Sequence, residues 1–264
     1  LHDSYQPDTL RASVRAHRDH PALFAWYTVD EPYGPKFNWC TDAYQLCQKE
    51  DPNHPTYLVS CEPTLFNMFA PAVDILAIDP YPVGRVGLNQ VALWSRTVEK
   101  AVNGKQPWIL VPQAFNWDGY KDVTKGRAPS PDEEWAMIAT GLIHGAKGIV
   151  YYAWEDGTVG IVHEPTLQAE IPKINALLAS VGSELVGSER LMISPTDSDD
   201  IQAAVFGGTR RLLVAANVGA VPASVVVPKA GSLKSLRAGV AAPALVGGKL
   251  TLAPSQTVVA EIVP

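Results

Sequence analysis

Four acidic positions in this sequence stand where an apolar run stops: Glu31 after LFAWYTVD, Glu62 after TYLVSC, Asp79 after VDILAI, and the Glu155-Asp156 pair after GIVYYAW. Pro32, Pro63 and Pro80 follow the first three, and proline has no N–H with which to continue a ladder. An acid at the end of a buried strand is partly desolvated, which is costly for folding. The same desolvation tunes a carboxyl for general acid or base work. Glu31 is the leading candidate; the competing reading is an acid paired with a basic side chain at the rim of a sheet. Asp30 faces away from Glu31 if the strand stays regular, which makes it an orienting acid. Asp79 reads equally well as a turn acid, and Glu62 as a solvated loop acid. Gln113, which ends the run PWILVPQ, can donate and accept hydrogen bonds but cannot titrate.

The elements that must position these residues alternate. Helices are predicted over residues 7–19 (N-capped by Asp8), 35–50, 88–102, 131–144 and 165–186. Strands are predicted over 23–30, 56–61, 74–79, 108–113 and 148–154. Ser130, Pro131 and Glu133 form a capping box with proline in the first turn. Strand–helix alternation implies parallel pairing with right-handed crossovers. After about residue 187 helical periodicity gives way to short Val/Ala/Leu/Thr stretches at 201–206, 211–217, 223–228, 249–252 and 257–262. They are separated by Gly, Pro and Ser, the texture of an antiparallel sandwich. The division is therefore 1–187 for the α/β part and 188–264 for the sandwich, joined by a linker at 187–190. Five strand–helix units leave two readings: three units lost ahead of the first helix, or an open or partner-completed structure.

Composition narrows the function classes. A net charge of −6 with no basic cluster argues against a nucleic-acid partner. No apolar run approaches the roughly 20 residues of a membrane span. Leu1 in place of an initiator Met suggests a processed or fragmentary chain. Cys40 and Cys47, seven apart on one helix, are about 10 Å apart and cannot bridge; with Cys61 they read as three buried thiols. No spacing suggests a metal site, and no cofactor is expected. His20, His54 and His144 read as structural.

Taken in order, HPALFAWYTVDEP, HPTYLV, VDILAIDPYP, PWILVPQAF and HGAKGIVYYAW resemble the C-terminal part of a (β/α)8-barrel glycoside hydrolase. LLVAANVGAVPASVVV and LTLAPSQTVVAEIV resemble the accessory β-domain that follows many such barrels. The resemblance covers nearly the whole chain. It implies an α/β, TIM-type barrel represented by strands four to eight, then a small antiparallel sandwich. It further implies a carbohydrate substrate and a general acid/base at Glu31, the end of strand four. The family's nucleophile, a Glu at the end of strand seven, is replaced here by Gln113.

The expectation is a glycoside hydrolase, endo-acting on a poly- or oligosaccharide, with Glu31 as acid/base and Asp79 or Glu155 as the second carboxylate. Asp30, Tyr33, Tyr81, Gln113, Trp117 and Trp154 are the expected substrate-binding residues. Most of the aromatics, with Phe115 and Tyr120, fall just beyond strand ends, where rings offer flat faces to sugars. The alternative is a carbohydrate-binding remnant without turnover. A sugar-phosphate enzyme would carry a Gly-rich loop after strands seven and eight; the loop after Gln113 is aromatic. The expected setting is secreted or periplasmic, with the cytoplasm open, and a homo-oligomer is one way to complete the barrel.

Overall fold

The computed structural model describes residues 6–33, 36–120, 126–195 and 198–264. The chain forms two compact units, Leu1–Asp79 with Arg96–Leu110, and Pro80–Ser95 with Val111–Pro264.

The first unit opens with α1 (Pro7–His17), β1 (Trp26–Asp30), α2 (Lys36–Glu50) and β2 (Thr56–Ser60). The short α3 (Phe66–Phe69) and β3 (Ile75–Ile78) follow, and β4 (Trp108–Leu110) comes after α4 (Gln90–Val102). The predicted helix start at Pro35 lies outside the described residues. β1 pairs with β2, β2 with β3, and β3 with β4, all parallel. Cys40, Ala43 and Cys47 are fully buried on α2, at the i, i+3, i+7 spacing of one helix face. Leu10 and Val14 do the same for α1. α1 is fastened to the end of α2 by Arg15, whose Nε and Nη2 donate to the two Glu50 oxygens at 2.7 and 3.0 Å. Asp8 does not cap α1. Gln6 holds the N-cap position without capping the helix backbone, its Oε1 accepting from Thr9 Oγ1 at 3.1 Å, and Asp8 accepts from Arg11 Nη1 at 2.6 Å. Pro7 at the first helical position explains the shift, since its fixed φ begins the helix two residues earlier.

The second unit carries α5 (Pro131–Ile143), β5 (Gly148–Ile149) and α6 (Pro165–Gly187). The antiparallel strands are β6 (Glu189–Met192), β7 (Ile201–Gly207), β8 (Arg211–Asn217), β9 (Ala223–Val226), β10 (Ser232–Ser235), β11 (Lys249–Leu252) and β12 (Thr257–Val263). The capping box of α5 forms as predicted: Glu133 N–H donates to Ser130 Oγ at 3.2 Å and Ser130 N–H to Glu133 Oε2 at 2.9 Å. The predicted strand 148–154 is laddered only at Gly148–Ile149, with one further parallel bridge between Gln113 and Tyr152. Pro112, lacking an N–H, interrupts the opposing run. The expected linker at 187–190 does not exist as a linker: Ser188 caps α6 and β6 begins at Glu189.

The larger antiparallel sheet runs β10-β12-β8-β7-β6, and β11 pairs with β9. One face of the larger sheet, with Ile201, Ala203, Val205, Leu213 and Ala215, packs with Val225, Val227, Leu250 and Leu252. The other face, with Ala204, Phe206, Leu212, Val214 and Ala216, packs with Trp135, Ile138 and Ala139 of α5 and Ile174 and Leu177 of α6. A sheet covered on both sides has no reason to alternate, so β7 and β8 read as near-continuous apolar runs. Arg237 stacks on Trp135 at 4.2 Å, and the Trp135 indole donates to Glu170 at 2.8 Å.

The parallel strands run in chain order, β1-β2-β3-β4-β5. This is the α/β architecture of a (β/α) barrel short of eight strands, followed by an antiparallel sandwich. Among the described residues no helix is long and apolar enough to cross a membrane.

Candidate functional site

In the first unit, β1 and β3 bring three acids together. β1 carries an irregularity between Tyr27 and Val29, where its register against β2 slips. A bulge of this kind spends one residue without advancing the ladder, so Tyr27 and Asp30, three apart, come to one side. The Tyr27 hydroxyl donates to Asp30 Oδ1, and the Tyr27 ring lies 5.0 Å from that of Tyr57 on β2. Glu31 follows at φ 38°, a left-handed conformation uncommon outside glycine. Its N–H still extends the ladder to Val59 O at 3.0 Å. The strand does not stay regular, and Asp30 and Glu31 both act on Asp79.

Asp79 sits just beyond β3, 3% exposed. Its Oδ1 is buried with no partner. Burial pushes its proton affinity well above the usual carboxylate range, reinforced by the neighbouring Glu31 and Asp30. Burial, then Asp30, likewise raises the Tyr27 phenol; burial, then the charges of Asp79 and Asp30, raises Tyr57. Cys61 is exposed, not buried as expected, because it lies just past the end of β2. Its thiol is nevertheless pushed up to about 12 by partial burial and by the neighbouring Glu31 and Asp79.

In the second unit the predicted aromatics cluster. Tyr81 and Phe115 have ring centres 5.1 Å apart, Phe115 and Trp117 4.9 Å, and Phe115 and Tyr120 5.4 Å. Tyr152 stacks on Tyr81 at 5.7 Å. Arg85 lies over Trp117 at 4.5 Å. The Tyr152 and Tyr120 hydroxyls both donate to Asp156 Oδ2, at 2.6 and 3.1 Å. Of the two acids after β5, Asp156 is thus the one tied to the rings, and Glu155 is simply exposed. Trp154 is 66% exposed on a firmly held turn: Ile161 N–H donates to Ala153 O at 2.9 Å and Val162 N–H to Trp154 O at 3.1 Å. Gly160, at φ 116°, makes that turn, and a Cβ there would meet Trp154 O at 2.8 Å. Tyr33, in the first unit, is 65% exposed.

Gln113 is fully buried, and its amide is already occupied. Oε1 accepts from Val83 N–H at 2.8 Å, and Nε2 donates to Val83 O at 3.1 Å and Phe115 O at 3.2 Å. Both amide hydrogens are taken, so the residue ties the 83 and 115 loops together and has no donor left for a sugar. Glu62 caps the turn after β2, accepting from Thr64 Oγ1 at 2.7 Å, as a loop acid would. His54 pairs with Asp51 at 2.8 Å and His144 with Gln202 at 2.9 Å, both structural. A cavity of about 690 Å³ opens at the opposite, N-terminal ends of β2–β4, lined in part by Tyr44, His54, Asp74 and Lys105. Asp74 is engaged there by Gln48 and Thr56.

Sequence reasoning placed Asp30, Glu31 and Asp79 at strand ends, and the structure brings them together. It missed Tyr27, Tyr57 and Cys61 around them, and Tyr152 and Arg85 around the rings; Asp156 it named only as part of the Glu155-Asp156 pair. Tyr27 and Tyr57 sit directly opposite each other in register; that pairing was the available signal.

No family model matches the chain. A β-galactosidase of Geobacillus kaustophilus is 25% identical over 109 residues, 41% of this chain and 16% of that protein. Solved structures with the same fold include a GH27 β-L-arabinopyranosidase from Geobacillus stearothermophilus, at TM-score 0.61 and 13% identity over 98% of this chain and 61% of that one. An Anoxybacillus α-amylase aligns at TM-score 0.57 and 11% identity, over 98% of this chain and 63% of that one. A β-galactosidase from Marinomonas ef1 aligns at 0.53 and 11% over 69% of this chain and 44% of that one. The chain therefore has the barrel fold of glycoside hydrolases and spans less than two thirds of the length of each of these proteins.

Proposed function

We propose that this protein takes part in hydrolysis of O-glycosidic bonds in a poly- or oligosaccharide, endo-acting, with Glu31 as the carboxyl that handles the proton. One observation carries the reading: Glu31 leaves the end of β1 in a left-handed conformation, and the end of β3 carries a buried acid, Asp79, with an unpartnered oxygen. The C-terminal ends of parallel strands are where barrel enzymes assemble their chemistry. The likeness to a β-galactosidase and to glycosidase barrels supports the substrate class. The exposed Trp154 offers a ring face of the kind on which sugars stack. In this reading residues 1–187 carry the chemistry. The sandwich, 188–264, covers α5 and α6, and its lack of any aromatic residue but Phe206 argues against a sugar-binding role. A polysaccharide substrate suits a secreted or periplasmic setting. A second copy completing the barrel is part of the same proposal, and a monomeric mass in solution would remove it.

The test is reducing-sugar release from a polysaccharide panel by wild type and by Glu31→Gln, which keeps the shape and removes the ionisable proton. A fall of roughly a hundredfold or more is expected, the usual scale of acid/base contributions. Activity indifferent to the change removes Glu31 from the mechanism. A second reading, saccharide binding without turnover, is favoured by Gln113, a structural amide where the resembled family carries its nucleophile. It predicts saccharide binding by both proteins and release by neither.

A further inference from the structure

We propose that the cavity of about 690 Å³ at the N-terminal ends of β2, β3 and β4 is a second saccharide site, which holds a short stretch of sugar without cleaving it. This goes beyond the role proposed for Glu31 and does not depend on it. Asp74 precedes β3 and Asp79 follows it, and five residues of extended strand put them about 16 Å apart. Every lining residue belongs to the first unit. The volume falls within the range of ordinary small-molecule pockets, about 300–1,000 Å³.

Several polar side chains in the cavity are fixed by bonds that leave a further function free. Asp74 Oδ2 accepts from Gln48 Nε2 at 2.9 Å, Thr56 N–H at 2.8 Å and Thr56 Oγ1 at 3.0 Å. Its Oδ1 has only the Tyr44 hydroxyl, at 3.4 Å, so the carboxylate keeps acceptor capacity there. Gln48 commits Nε2 to Asp74, and Gln106 commits Nε2 to Val73 O at 3.3 Å; each keeps a carbonyl oxygen to accept with. His54 is steered from behind. Its Nδ1 bonds Asp51 Oδ2 at 2.8 Å, and that oxygen, on a residue 2% exposed, also accepts from the Trp26 indole at 2.9 Å. A carboxylate on Nδ1 leaves Nε2 as the open nitrogen of the ring. Lys105 is exposed, and its Nζ has no bond or ion pair among the described residues.

This inventory selects the ligand. Three acceptors stand with one cationic donor, Lys105, and with His54, which can serve either way. An inorganic anion would face the Asp74 charge and two carbonyls; a simple cation would face Lys105. A neutral ligand carrying many hydroxyls, each both donor and acceptor, satisfies both kinds of group. The walls agree. Pro52, Pro55, Pro71 and Pro107 present C–H surface on rings with no side-chain freedom to lose, and pyranose rings have C–H faces to lay against it. β2 and β4 flank β3, so the segments carrying His54 and Lys105 lie two strand spacings apart, roughly 10 Å. That is the length of a disaccharide.

Proton–nitrogen correlation spectra of the labelled protein test this, titrated with cellobiose, lactose and maltose and separately with inorganic phosphate. The expected result is a saturable shift of the backbone amides of Asn53, His54, Asp74 and Lys105 with at least one disaccharide, and none with phosphate. Lys105→Ala and Gln106→Ala should each raise the apparent Kd about fivefold, the scale of one hydrogen bond. Shifts confined to the amides of Glu31 and Asp79 overturn the inference while supporting the proposed role of Glu31. No saturable shift at the cavity with any of the three disaccharides, or saturation by phosphate alone, overturns it and leaves that role standing. A Kd unchanged in both variants overturns it as well.

Discussion

Gln113 stands where the resembled family carries its nucleophile, which makes Gln113→Glu the obvious attempt to restore a second carboxylate. The structure says it will fail as chemistry and cost stability. Replacing Nε2 by oxygen removes both donors, leaving Val83 O and Phe115 O facing an acceptor. An orphaned buried group costs about 1–3 kcal/mol. Protonating the new acid returns one hydroxyl donor, so only one carbonyl stays unpaired, but holding a carboxyl neutral at pH 7 against an ordinary value near 4.3 costs about 4 kcal/mol. The sum is about 5–7 kcal/mol, and at about 2–4 °C per kcal/mol for a chain of this size the melting temperature falls by about 10–30 °C. The sign with pH follows. Burial raises the folded-state proton affinity of the introduced carboxyl, so its relative stability is present below the ordinary glutamate value and is lost as pH rises towards the raised one. Thermal melts at pH 4.5 and pH 7, each against wild type at the same pH, should show a deficit several-fold larger at pH 7. A variant with an unchanged melting temperature and new hydrolytic activity would refute the reasoning, as would a deficit indifferent to pH.

Ser130→Ala removes one half of the capping box of α5 and should cost about 1 kcal/mol, a melting-temperature drop of about 2–4 °C; Ser130→Asp, which keeps an acceptor at the cap, should restore most of it. Glu134 is fully buried and its proton affinity is raised by burial, so wild-type stability should decline as pH rises from the ordinary glutamate value towards the raised folded one. Glu134→Gln should flatten that slope in urea denaturation between pH 5 and pH 9, and an unchanged slope would place the titration elsewhere.

What the sequence made legible was what local chemistry decides. Ser130-Pro131 with Glu133 specifies its own cap, and the strands feeding Glu31 and Asp79 announce themselves by apolar runs stopped at acid-proline pairs. Parallel order then brings the two acids near each other without further information. What it hid was non-local or irregular. The slip between Tyr27 and Val29, which turns Asp30 towards its neighbours, has no proline or glycine to mark it. The bonds of Gln113 to Val83 span 30 residues. β6 and β10 escaped notice because they are short edge strands whose mixed polar residues, Glu189, Arg190 and Lys234 among them, carry little apolar signal. The sandwich looked detachable because its texture changes abruptly; its sheet shares a core with α5 and α6, which texture alone does not reveal.

The costs gathered at the ends of β1 and β3 argue that this corner is built for something other than stability. A non-glycine residue in a left-handed conformation costs about 1–3 kcal/mol, and Glu31 carries that strain. The orphaned Asp79 Oδ1 adds a desolvation cost of similar size. Each cost has a simple remedy: glycine at 31 would relax the backbone, and an aliphatic residue at 79 would fill the buried space without a polar atom. Neither remedy leaves a proton at the strand ends. The arrangement retained sets a strained, partly buried Glu31 at the end of β1 and a buried Asp79, on which desolvation opposes charge, at the end of β3. Two such costs at strand ends support the proposed role of Glu31, because stability alone would have removed both.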